Sequence, residues 1–179
     1  NPREQPLLLA GDHLFLHDRA GVSVTELTLT ELGAAALHAP IAFDNNGKLL
    51  AAGVLATANN EAQTPSQLLL CDLEIPDCEP FPGQAGATSV SALAVHPLDG
   101  TLFVADSVTG ELLKFGPDGE LLARAALELP ASPILRLDSG LLFTNSPAGP
   151  GIRVFRYEDE AFGQQLDEPV LLPPGADSP

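Results

Sequence analysis

The sequence predicts an all-β fold, a β-propeller built of four-stranded antiparallel blades, about four of them forming an incomplete ring. Three observations carry this. A strand–turn–strand pattern recurs along the chain, each turn ends in Gly, and almost no stretch reads as helix. Repeats are the first thing to look for, because stacked supersecondary units dictate the architecture.

Three segments display the pattern: Ile41–Gly53, Leu93–Asp106 and Ile134–Asn145. Their turns, Asn45-Asn46-Gly47, Asp99-Gly100 and Ser139-Gly140, supply residues that tolerate the positive φ a tight hairpin needs. A third strand is expected after each pair, at Gln67–Cys71, Glu111–Phe115 and Ile152–Tyr157. Pro117-Asp118-Gly119 then turns the chain into a fourth strand, Glu120–Ala126. The best helical stretch, Leu121–Leu129, reads equally well as that outer strand, and Pro130 stops it. At the start of the chain Leu14–Asp18 matches Leu102–Asp106, and strands at Ser23–Leu27 and Thr28–Leu32 are expected to complete the unit. Second strands begin at Leu14, Leu49, Leu102 and Leu141, at spacings of 35, 53 and 39 residues. The long interval holds a polar insertion, Thr57–Ser66. A period near 40 with four short strands is what a propeller blade requires. The expected blades span residues 6–38, 39–80, 88–129 and 132–172 of a single domain, 1–179.

Composition bounds the function. Hydrophobic residues make up 45% and charged ones 18%, a globular balance. With no Trp and one Tyr, the core must be Leu, Val and Ala, and there is no aromatic platform for single-stranded nucleic acid. A net charge of −16 repels phosphate backbones, which excludes nucleic acid, and suits a soluble surface. No apolar run approaches the roughly 20 residues that span a bilayer, so no membrane insertion is expected of this stretch. The absence of Met and the start at Asn1 predict a processed or excised product, which is compatible with a removed signal or anchor upstream.

Cys71 and Cys78 are the only cysteines. Two thiolates without a nearby His leave zinc half-coordinated, and redox pairs favour C-x-x-C. Pro76-Asp77 between them turns the strand back, so a structural disulfide is expected, hence a periplasmic or secreted location. Two buried free thiols are the alternative.

Units such as Ser91–Asp106, followed by Gly110-Glu-Leu-Leu-Lys-Phe-Gly-Pro-Asp-Gly-Glu120, resemble NHL-type repeats. They are also similar to blades of the gluconolactonase and strictosidine-synthase-like propellers. The resemblance covers Pro6–Tyr157 and lies in strand–turn grammar, not in a catalytic signature. It implies rings that usually close with six blades. Four blades therefore mean either a rare four-bladed ring or part of a larger one. An open ring exposes blade edges and invites self-association.

Few residues stand out as chemistry. Asp18, Asp106 and Asn145 occupy matching places after second strands. They are candidates for oxygen ligands to calcium, or for capping loop amides within each blade. His96 ends an innermost strand and is a candidate for the central channel, or a turn residue before Pro97. His13, His17 and His38 show no ligand spacing. No nucleophile elbow, P-loop or zinc-protease motif occurs, so the catalytic residues, if any, stay unassigned. Two functions follow. The first is an extracytoplasmic binding or scaffold module that recognises a protein or small ligand through its loop face. The second is a calcium-dependent hydrolase of the lactonase type, in which a cation polarises a carbonyl.

Overall fold

The computed structural model describes residues 7–17, 20, 22–55, 67–82, 89–130, 133–138, 140–146, 151–166 and 170–171. They form four antiparallel sheets joined in sequence, an open β-propeller arrangement with no closed barrel. The first sheet holds β1 (Leu7–Ala10), β2 (His13–His17) and β3 (Ser23–Thr28), in that order. The second holds β4 (Ala34–Phe43), β5 (Leu49–Leu55), β6 (Gln67–Asp72) and β7 (Asp77–Pro80). The third holds β8 (Val90–Val95), β9 (Leu102–Asp106), β10 (Glu111–Phe115) and β11 (Leu121–Ala126). The fourth holds β12 (Arg136–Asp138), β13 (Leu141–Asn145), β14 (Gly151–Arg156) and β15 (Val170–Leu171). We call these sheets blades 1 to 4. The helical content among the described residues is one 3-10 turn, Asp159–Ala161.

The glycine turns make the hairpins. Gly47, Gly100, Gly119 and Gly140 all sit at positive φ, where a Cβ would be strained. At Gly119 a Cβ would in addition collide with the Pro82 carbonyl, so this turn packs backbone on backbone. The strand β11 alternates half-buried and exposed residues, the signature of an outer strand with one wet face.

Two expectations at the first junction are corrected. Thr28–Leu32 is not an outer strand. Thr28 donates from its N and Oγ1 to Glu31 Oε2, at 2.7 and 2.9 Å, and Leu32 N donates to Thr28 O. This Thr-x-x-Glu turn outcompetes extension, and Gly33, at φ 66°, redirects the chain. The innermost strand of blade 2 consequently starts at Ala34, inside the stretch 6–38 expected for blade 1. The strand pairing shifts register between His38 and Ile41, around Pro40, which cannot donate to a ladder. Among the described residues blade 1 has three strands. The Thr57–Ser66 insertion and most of Pro147–Gly151 lie outside the described residues.

Three apolar clusters lie between successive blades. Leu14, Leu27, Leu32, Leu49, Ala51, Leu69 and both cysteines fill the space between blades 1 and 2. Leu50, Leu68, Val104, Leu113 and Phe115 fill the next. Phe103, Ala105, Leu112, Leu142 and Phe155 fill the third. Strand alternation explains the sharing: Leu49 and Ala51 of β5 face one neighbour, Leu50 and Ala52 the other. These two-sided strands are continuous apolar runs, and β5 and β9 are buried along most or all of their length. Cys71 and Cys78 face each other across β6 and β7 and form a disulfide.

Candidate functional site

Where the blades converge, the innermost strand β8 contacts both β4 and β12. They line a hollow of about 460 Å³. Its wall is Ile41, Ala42 and Phe43 of β4, Leu93, Ala94 and Val95 of β8, and Leu135, Arg136 and Leu137 at β12, with Asn45 and Pro97 at the ends. Most of these side chains are only partly covered. The lining residues are mostly apolar, with Arg136 and Asn45 the polar ones, and nearly half of the lining surface is polar. A binding site draws on both kinds of surface, apolar area for affinity and polar groups for orientation.

A smaller cavity of about 330 Å³ adjoins it, sharing Pro97 and Leu137. His96 lines this second space with Tyr157, Asp138 and Gly140. The sequence placed His96 at the end of the innermost strand, and it follows β8 directly. Its Nδ1 lies 2.8 Å from Asp99 Oδ1, and its ring meets Tyr157 of blade 4 edge-on at 5.5 Å. The same Asp99 oxygen accepts Thr101 N at 2.9 Å. Burial pushes the Asp99 carboxyl up, but the hydrogen bonds from Thr101 and His96 outweigh it and hold it below its ordinary value. His96 is therefore both a turn residue and a wall of the cavity, its imidazole oriented by a carboxylate. Tyr157, which sequence reading took only as a strand end, closes this cavity and accepts a bond from Gly140 N.

Asp106 and Asn145 each bond to amides of their own blade. Asp106 is wholly buried, and its carboxylate accepts Ser89 N at 3.1 Å and Val108 and Thr109 N at 2.9 and 3.0 Å. Asn145 Oδ1 accepts Ile134 N at 2.8 Å. Each ties the start of its own blade's innermost strand to the end of the second strand. Asp18 lies outside the described residues. Among the described residues no three His, Cys, Asp or Glu side chains gather as a metal site would require.

The capping role makes a prediction. Asp106→Ala should destabilise the chain by about 1–3 kcal/mol, because it leaves the partly buried Ser89 amide without its acceptor. Asp106→Asn keeps one acceptor oxygen and should lose less. Urea unfolding of the two variants checks the order.

A chain of antiparallel blades that converge on a shared inner wall belongs to the β-propeller class. Solved structures agree at the level of fold. The chain superposes on a protein of unknown function from Bacteroides caccae with a TM-score of 0.54 at 15% identity, covering 91% of this chain and 57% of that one. It superposes on a structure described as a nidogen/laminin complex with a TM-score of 0.61 at 12% identity, covering 90% and 56%. A third similarity is to an auxiliary nutrient binding protein from Bacteroides ovatus, with a TM-score of 0.58 at 13% identity, covering 94% and 39%. The chain therefore spans little more than half the length of the first two, and less of the third. No protein-family profile matches the sequence, and no curated protein matches it.

Proposed function

We propose that this chain is a β-propeller binding module of an oxidising, extracytoplasmic compartment, with blades of the NHL and gluconolactonase-like grammar. The observation that carries the reading is the hollow between β4, β8 and β12. Its volume, about 460 Å³, lies in the range of small-molecule sites, and its lining mixes apolar side chains with the polar residues Arg136 and Asn45. Such a site recognises a small ligand, or a side chain of a protein partner, that has an apolar body. Two of the superposed structures are described as a nutrient binding protein and a complex between proteins, which supports a binding role for the fold. The Cys71–Cys78 disulfide supports the compartment, because cytosolic thiols are kept reduced.

The test is a thermal-shift screen of small apolar and amphipathic compounds, followed by calorimetry on any hit. Phe43→Ala removes a half-buried ring from the wall and should weaken a hit by roughly tenfold or more, in line with about 1.4 kcal/mol per decade. Binding indifferent to Phe43→Ala would place the ligand elsewhere and sink the assignment. Calcium serves as the counter-test. It should leave the melting temperature unchanged, whereas a rise with calcium concentration would favour the metal-dependent hydrolase through mass action.

A further inference from the structure

Blades 2 and 3 are covered on both faces, whereas blades 1 and 4 each turn one face away from the described residues. On blade 4 that face carries the cross-strand row Arg136–Phe143–Val154 and, beside it, Asp138–Leu141–Arg156. The corresponding row of blade 3 is Ala94–Phe103–Lys114. Blade 4 seals that row: Phe103 is wholly buried against Tyr157 and Phe162, and Lys114 Nζ donates to Tyr157 O at 3.1 Å. Phe143 lies on the face of blade 4 that corresponds to the Phe103 face of blade 3, but it is only half-buried. The outward face of blade 4 thus repeats a face that elsewhere in the chain is an interface.

The outward face of blade 1 carries the row Leu8–Phe15–Glu26. Leu8 is 53% exposed, and Phe15 lies between the rings of His13 and His17, at 5.9 and 6.5 Å. The Glu26 carboxylate is exposed, with Oε1 2.8 Å from His13 Nδ1. The two end faces are therefore alike in their apolar centres and opposite in net charge, with Arg136 and Arg156 outnumbering Asp138 on blade 4 and Glu26 standing on blade 1. Blade 4 offers two exposed guanidiniums, Arg136 and Arg156, from a chain with only eight basic residues, and blade 1 offers the Glu26 carboxylate.

We propose that a second copy of this chain covers these faces head to tail, the blade 1 face of one copy packing on the blade 4 face of the other. The contact continues the blade-on-blade packing of the three internal interfaces, with Phe15 and Phe143 at its centre and Glu26 opposite the blade 4 arginines. The same contact made twice about a twofold axis closes a two-chain ring, which leaves no apolar blade face open. This is face packing, distinct from pairing of strand edges.

Sedimentation velocity on the 179-residue chain, over a hundredfold range of concentration reaching about 100 μM, tests it. The expected result is a shift from the 18.6 kDa monomer to twice that mass. Arg156→Glu should weaken the association by at least about tenfold, and adding Glu26→Arg in the same chain should restore it. Both side chains are exposed, so circular dichroism should show these variants folded. A chain that stays monomeric throughout overturns the proposal and leaves the faces for other blades. A dimer indifferent to the charge reversal also overturns it, because a different surface would then hold the copies together.

Discussion

Phe103→Ala should be among the most damaging single truncations in this protein, with a loss of about 3–5 kcal/mol. Three circumstances set that size. The ring is wholly buried, it lies between two blades, and it meets Tyr157 and Phe162 at centroid distances of 5.3 and 6.4 Å. Truncation removes the transfer energy of the ring and leaves a space that two rigid sheets cannot close. In a domain of this size the melting temperature should fall by roughly 6–20 °C. The effect should reach beyond packing, because Tyr157 also walls the His96 cavity and its carbonyl holds Lys114. Leu98→Ala is the matched control: Leu98 is 87% exposed and its loss should fall within about 0.5 kcal/mol. Equal effects from the two substitutions would mean that blades 3 and 4 do not pack through this ring.

Loss of the Cys71–Cys78 disulfide should cost about 2–5 kcal/mol. The bridge closes a short loop, seven residues apart in sequence, and loop-closure entropy alone accounts for the lower part of that range. Packing adds to it, because both sulfurs lie in the cluster between blades 1 and 2 with Leu32, Leu49 and Leu69. Cys78 N also donates to Leu32 O at 2.8 Å, which fastens the outer strand of blade 2 to the turn that ends blade 1. Reduction should therefore lower the melting temperature and loosen the blade 1–blade 2 junction first, visible as faster amide exchange in β2 and β7. An unchanged melting temperature with reductant would show that the thiols are free in solution, and the compartment argument would fail with it.

The turn chemistry made much of the fold legible. Glu111–Phe115 is β10 to the residue, and β5, β9 and β13 start at the leucines expected. Each of those hairpins is closed by a glycine whose conformation excludes the alternatives, so a local signal sufficed. The first junction was less legible because two local signals compete there. Thr28–Leu32 alternates like a strand, yet Thr28 and Glu31 are spaced for a side-chain-closed turn, and the turn wins. The disulfide was readable from Pro76-Asp77, which reverses the chain between the cysteines.

The candidate site was far less legible. Ile41, Val95 and Arg136 stand more than forty residues apart between neighbouring blades and look like ordinary strand residues. Nothing in their local sequence marks them as one wall. His96 drew notice as a lone histidine, but its neighbour Tyr157 comes from the next blade.

The sequence by itself determined most of the strands, their hairpin partners and the crosslink, because turn geometry and alternation act over a few residues. Only the tertiary structure decided which faces are covered, where the inner strands meet and which side chains share a cavity. Those outcomes depend on how whole sheets pack across long stretches of chain, and no short-range pattern encodes that. Phe103 and Phe143 lie on corresponding faces of their blades, yet the chain buries one and leaves the other half open. The difference lies in the neighbouring blade, not in either residue.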